Sequence, residues 1–114
     1  MISPKYININ RILGAMTLLI SFIVYFDTMA PSVSYWDCGE FIAVSYTLGV
    51  PHPPGSPLFL LLGRIASMLP ISEDIAFRVN LLSPLASAFS VLFLYFIIVQ
   101  LVNHWRGKID TNTD

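Results

Sequence analysis

The chain is predicted to be an all-α membrane protein. Two transmembrane helices are joined by an extracytoplasmic loop that carries short interfacial helices. Three observations predict this. Of 114 residues, 55% are hydrophobic and 11% charged, whereas an ordinary soluble domain carries about 25% charged residues. Two stretches, 12–30 and 79–103, are apolar over a membrane-spanning length. Between them, apolar residues recur at helical spacing and are interrupted by proline and glycine.

The first span, 12–30, carries one charge, Asp27, near its far end. As a helix it covers about 28 Å, close to the hydrocarbon thickness of a bilayer. Lys5 and Arg11 precede it, as they would in a signal peptide. The apolar stretch is long for that role, and no Ala-x-Ala site stands before Pro31, so a retained helix is expected. In the loop, 31–78, Phe41, Val44 and Leu48 share a helical face, predicting a short helix at about 39–49 that Gly49, Pro51, Pro53, Pro54 and Gly55 break. A second apolar stretch, 57–69, is too short to span and reads as a helix on the interface or packed on others, with Arg64 snorkelling. Pro70 ends it. Ser72 followed by Glu73 and Asp74 reads as an N-cap with acids in the first turn. The second span, 79–103, has no formal charge and covers about 37 Å, enough to cross with some tilt. Residues 1–11 and 104–114 are the cytoplasmic ends, and 109–114 reads as a polar tail without structure.

Charge sets the orientation. Lys5 and Arg11 flank the first span and Arg106 and Lys108 follow the second. The middle holds the acids Asp27, Asp37, Glu40, Glu73 and Asp74 against Arg64 and Arg78. The positive-inside rule then puts both termini in the cytoplasm and the loop outside. Tyr25, Tyr35, Trp36 and Trp105 stand where interfacial aromatics are found. A net charge of -1 gives no electrostatic footprint for nucleic acid. Cys38 is the single cysteine, so no intrachain disulfide forms, and a packing role is expected for it. The sequence offers no repeat, no metal-type Cys/His spacing and no phosphate-cradling glycine loop.

Residues that can carry chemistry gather in 34–57. Asp37 and Glu40, three apart, share a face of any helix there and can accept a proton, hold a cation or bind a sugar. Alternatively, Ser34 and Asp37 fit a loose capping box, in which Asp37 only starts a helix and Glu40 is a solvated acid. His52 lies among prolines that restrict its backbone, which suits a positioned ligand-binding side chain or a rigid corner with an incidental histidine. One histidine with two carboxylates is a weak metal signal. Arg78 can pair with a phosphate, or with a nearby acid. Asn80 enters the second span and needs a partner there.

Three blocks in order, Trp36-Asp37-Cys38-Gly39-Glu40-Phe41, His52-Pro53-Pro54-Gly55-Ser56-Pro57-Leu58-Phe59 and Phe77-Arg78-Val79-Asn80-Leu81-Leu82, resemble the N-terminal part of a bacterial family of multi-spanning membrane proteins. That family, long a domain of unknown function, is similar to protein O-mannosyltransferases and, more distantly, to the GT-C superfamily of glycosyltransferases. The resemblance covers 12–101. It implies a GT-C-like fold whose first outer loop supplies an acidic catalytic base. Asp37 matches that base best, and Glu40 second. His52, Arg78, Trp36 and Asn80 become substrate-binding positions, with Arg78 near the lipid phosphate. The implied donor is a polyprenyl-phosphate-linked sugar, with mannose as the candidate. The implied acceptor is a Ser or Thr hydroxyl of an exported protein. No metal is implied, and the implied location is a bacterial inner membrane. Family members have many more spans, so this chain is expected to be a fragment or module, inactive without further transmembrane helices or a partner chain. The alternative is a small two-helix membrane subunit without catalysis, because Asn80, Ser83, Ala86, Ser87, Ala88 and Ser90 give the second span faces suited to helix packing.

Overall fold

A computed structural model of the chain describes residues 4–111. Five helices follow one another: α1 Pro4–Thr28, α2 Cys38–Thr47, α3 Pro57–Met68, α4 Ile75–Asn80 and α5 Leu82–Thr111. Among the described residues there is no strand. Two helical stretches among them are long and apolar enough to cross a membrane, Tyr6–Thr28 and Ile75–Arg106.

The long helices outrun the apolar stretches that announced them. α1 starts at Pro4, eight residues before the apolar run, with proline at a first-turn position where its missing N–H leaves no bond unmade. α5 continues to Thr111, so 109–111 are helical rather than an unstructured tail; 112–114 of that tail, and 1–3 at the other end, lie outside the described residues. Apolarity marks what lipid can cover, whereas helix propensity tolerates Lys, Arg, Asn and Gln beyond that limit. The apolar stretch from Ile75 is also interrupted. Pro84 has no N–H for the carbonyl of Asn80, and its ring crowds that carbonyl, so the chain turns at Leu81 and divides α4 from α5.

The chain forms two compact units. One combines α1 up to Val24 with α5 from Ser87 onward. Here the two helices run antiparallel. The Tyr6 hydroxyl donates to Asn103 Oδ1 at 3.0 Å, and the Tyr95 hydroxyl donates to Asn10 Oδ1 at 2.8 Å. One turn beyond Asn10 the Phe96 ring packs over Gly14, where an added Cβ would stand 3.1 Å from it. Outward-facing Ile12, Met16, Leu19, Ile23, Phe93 and Ile97 are all exposed. Helices apolar all round are the pattern of spans, whose outer faces lipid covers.

The other unit, Tyr25–Ala86, positions the chemistry. Its core is Ile42, Ala76 and Val79, with Cys38, Phe59 and Ile75 packed against it. α2 meets α3 most tightly at Ser45 and Gly63, both buried. α3 buries Leu60, Gly63, Ala66 and Ser67 on one side and leaves Leu58, Leu61, Ile65 and Met68 exposed on the other. Asp74, not Ser72, caps α4: its Oδ1 accepts the Ala76 N–H at 2.8 Å, while Ser72 Oγ accepts the Asp74 N–H at 3.2 Å. The hydroxyl of Ser32 and the N–H of Ala76 hold the Asp74 carboxyl below its usual range. Arg64 is held within the unit. Its Nη1 donates to the Tyr46 carbonyl at the end of α2, and its guanidinium lies 5.4 Å from the Tyr46 ring centroid.

Candidate functional site

The site starts where the chain enters α2. Trp36 takes a left-handed backbone, φ 60°, and is 95% exposed. A bulky residue there costs about 1–2 kcal/mol. Asp37 follows at the N-cap position, yet its side chain makes no capping bond. The capping box expected from Ser34 and Asp37 does not form. Only the Asp37 carbonyl serves the helix, accepting the Phe41 N–H at 2.9 Å, so the carboxylate is left for other work. Glu40, one turn on, lies on the same side.

Both oxygens of Glu40 are engaged by one residue, His52. Oε1 accepts the His52 backbone N–H at 2.8 Å, and Oε2 lies 2.8 Å from Nδ1. The Gly55 N–H, donating to the His52 carbonyl at 3.1 Å, closes a turn on the far side, and Phe41 meets the imidazole edge-on at 5.9 Å. The ring's other nitrogen, Nε2, then faces Asp37 Oδ2 at 3.8 Å. The sequence pairs Asp37 with Glu40 on one helical face and leaves His52 on a separate corner; the structure brings all three together.

The Glu40–His52 hydrogen bonds hold the Glu40 carboxyl below its usual 4.5. The same side-chain bond, with the Glu40 charge and then that of Asp37, raises the imidazole above its usual 6.5. The signs fix a pH window. Glu40's contribution to stability is complete above pH 4.5 and is lost as pH falls through its lowered folded value. His52's is complete below pH 6.5 and is lost as pH rises through its raised folded value. The pair therefore stabilises most between those two values. Melting curves of wild type and Glu40→Gln across pH should differ most inside this window and converge outside it. A difference that does not vary with pH would remove the pair from the stability argument.

Arg78 and Asn80 are placed differently from Asp37 and His52. Arg78 Nη1 donates to the carbonyls of Ser67 at 2.5 Å and Leu69 at 3.2 Å, and Nη2 donates to that of Glu73 at 3.3 Å. Its Nε is buried without a partner. A hydrogen bond from a charged donor is worth about 1.5–3 kcal/mol. Turning this guanidinium toward a phosphate would break more than one such bond, and the geometry makes it a clamp on the end of α3. Asn80 Nδ2 donates to Ala30 at 3.0 Å and Ser32 at 2.9 Å, while its Oδ1 lies 3.8 Å from Cys38 Sγ. Both amide hydrogens therefore hold the segment that leads from α1 toward α2.

A cavity of about 380 Å³ is lined by Cys38, Phe41, Ile42, Ser56, Phe59, Asn80 and Ser83, of which Cys38 and Phe41 follow Asp37 and Glu40 in sequence. Phe41 and Phe59, edge to face at 6.0 Å, form its apolar wall. Sequence reasoning missed this wall, although both phenylalanines stood inside the quoted motifs. Phe41 directly follows Glu40, and Phe59 lies seven residues after His52. Asp37, Glu40 and His52 each bring one ligand-type atom within 4.8 Å of the others. Because Glu40 and His52 Nδ1 already hydrogen-bond each other, a cation would have to displace those bonds. The arrangement reads as a hydrogen-bonded Glu40–His52 pair whose free ring nitrogen faces the Asp37 carboxylate.

Residues 37–114 match the family model described as the Protein O-mannosyl-transferase TMEM260 N-terminal domain. The chain belongs to this family. The match opens on Asp37 and takes in Glu40, His52, Arg78 and Asn80. Among relatives of the TMEM260 N-terminal domain, protein O-mannosyl-transferase tmem260 of Dictyostelium discoideum is 40% identical over 90 residues, 76% of this chain and 11% of that protein. Protein O-mannosyl-transferase TMEM260 of Mus musculus is 35% identical over 97 residues, 84% of this chain and 14% of that protein. The chain thus spans a small part of the length of these relatives. No solved structure matches it.

Proposed function

We propose that this chain is the N-terminal module of a membrane glycosyltransferase that moves a sugar, mannose in the first instance, from a polyprenyl-phosphate donor to a Ser or Thr hydroxyl of an exported protein. The observation that carries the reading is the Asp37 carboxylate. It is free of capping duty and faces an imidazole pinned by Glu40. Asp37 removes the proton of the acceptor hydroxyl as that oxygen attacks the anomeric carbon. The polyprenyl phosphate leaves with the electron pair of the broken bond. Between Asp37 and Glu40 the hydrogen bonding favours Asp37 as the base, since both Glu40 oxygens are already engaged. Trp36, fully exposed beside Asp37, offers a flat apolar face to a sugar ring or to the interfacial layer. The names of the relatives support the transferase class.

The charge pattern supports a site on the extracytoplasmic face, with both termini in the cytoplasm. One experiment tests reaction and side together. Membrane vesicles from cells making the native protein, sealed with the extracytoplasmic face outward, are given polyprenyl-phosphate-[14C]mannose and a membrane-impermeant Ser/Thr peptide. The peptide should become labelled without detergent, and vesicles from cells lacking the protein should leave it unlabelled. Labelling only after detergent would move the site to the other face. Labelling that is equal in both kinds of vesicle would remove the transferase reading.

A further inference from the structure

The three-residue chain Asp37–His52–Glu40 has a direction built into it, and this extends the transferase reading on which it rests. We infer that His52 is the second carrier of the acceptor proton: Asp37 takes it from the hydroxyl and passes it to His52 Nε2, while Glu40 holds the ring from the other side.

The geometry argues for this in steps. Glu40 Oε2 sits 2.8 Å from Nδ1 and can only accept, so Nδ1 carries the hydrogen. In the neutral ring Nε2 then bears the lone pair, and it faces Asp37 Oδ2 at 3.8 Å. That gap is longer than a hydrogen bond, and one water or a small shift on substrate binding closes it. Glu40 Oε1 on the His52 backbone N–H, and Phe41 against the ring, fix the imidazole in this pose. The role also follows from chemistry. A carboxylic acid releases its proton readily at neutral pH, and an imidazole is the stronger base by about 2.6 pKa units in water. A proton passed on to His52 is less able to return to the product oxygen.

The step balances. The acceptor oxygen bonds to the anomeric carbon, and the bond from that carbon to the phosphate oxygen breaks with its electron pair. The hydroxyl proton passes through Asp37 to Nε2. Asp37 ends ionised, His52 cationic and Glu40 its counter-ion. The ring is half exposed and returns the proton to solvent.

Because neutral His52 is the working form, transfer should rise with pH. The charged groups acting on the ring are Glu40 and Asp37, and both raise it, so the acid limb should lie above 6.5. The test uses the native protein in vesicles, with polyprenyl-phosphate-mannose and peptide as probes. Glu40→Gln should shift the acid limb to lower pH and reduce the plateau about tenfold. His52→Gly should lose about 100-fold, and free imidazole added to the assay should restore part of the loss. A purely structural role for His52 would give no rescue by imidazole. An acid limb unmoved by Glu40→Gln would overturn the relay while wild-type transfer stood. So would a rate that falls as pH rises, which assigns the imidazolium to the leaving phosphate, or activity removed by EDTA and returned by Mn2+, which assigns the trio to a cation. A wild-type protein without any transfer would sink both the relay and the reading beneath it.

Discussion

Replacing Asp37 by Asn is expected to lower sugar transfer about 10²- to 10⁴-fold, the usual contribution of a positioned general base, in a protein that melts as wild type does. The two halves of this expectation come from one observation. The Asp37 side chain makes no capping bond and is 59% exposed, so the fold does not depend on its charge. Asparagine is also a good N-cap residue. What Asn lacks is a basic oxygen facing His52 Nε2. The comparison variant Glu40→Gln should behave in the opposite proportion. It alters two bonds that hold the 51–55 turn, so it should show a stability change alongside a smaller loss of rate. The measurements are the vesicle transfer assay and melting in detergent. Transfer by Asp37→Asn within tenfold of wild type would take the base away from Asp37.

The second large effect is expected at Gly63→Val. A Cβ there would stand 2.4 Å from Ser45 Oγ and 2.8 Å from Ser45 Cβ, with Val79 at 3.6 Å beyond. Ser45 and Val79 are the largest fully buried side chains of this unit, so neither can swing away. Overpacking of a tight contact costs about 1–3 kcal/mol. Relief comes by pushing α2 away from α3, which also moves Glu40 relative to His52. Both stability and transfer should therefore fall. The paired variant Gly63→Ala with Ser45→Gly removes the atoms in conflict and should recover much of the loss that Gly63→Ala alone produces. If Gly63→Val melted like wild type, the α2–α3 contact would be looser than described.

Much of the fold is legible in the sequence because apolarity and proline act locally. The two long apolar runs, the break after Leu48 and the start at Pro57 follow from side chains read in order. The ends of α1 and α5 are less legible, since both helices continue into polar residues that lipid does not cover. α4 was hidden inside the apolar run from Ile75, and only Pro84, four residues past Asn80, betrayed the turn at Leu81. The site followed the same division. Asp37, Glu40 and His52 were recognisable as reactive types, but the bond from Glu40 to a residue twelve positions away depends on how the 51–55 turn folds back. Arg78 illustrates the converse: its charge suggested a ligand, while its partners are backbone carbonyls, which no sequence pattern displays. Gly63 gave no signal at all, because its meaning lies wholly in Ser45 on another helix.

The carbonyls held by Arg78 and Asn80 have a further consequence. Pro70 lacks an N–H, and the turn after α3 leaves Ser67, Leu69 and Glu73 with acceptors that a soluble protein would hand to water. Ala30 and Ser32 are in the same position beyond α1. Here two side chains replace that hydration at these five carbonyls, which therefore stay bonded where water is scarce. Arg78 and Asn80 thus give irregular backbone, at these points, the kind of internal bonding that helices and closed barrels supply along their whole length.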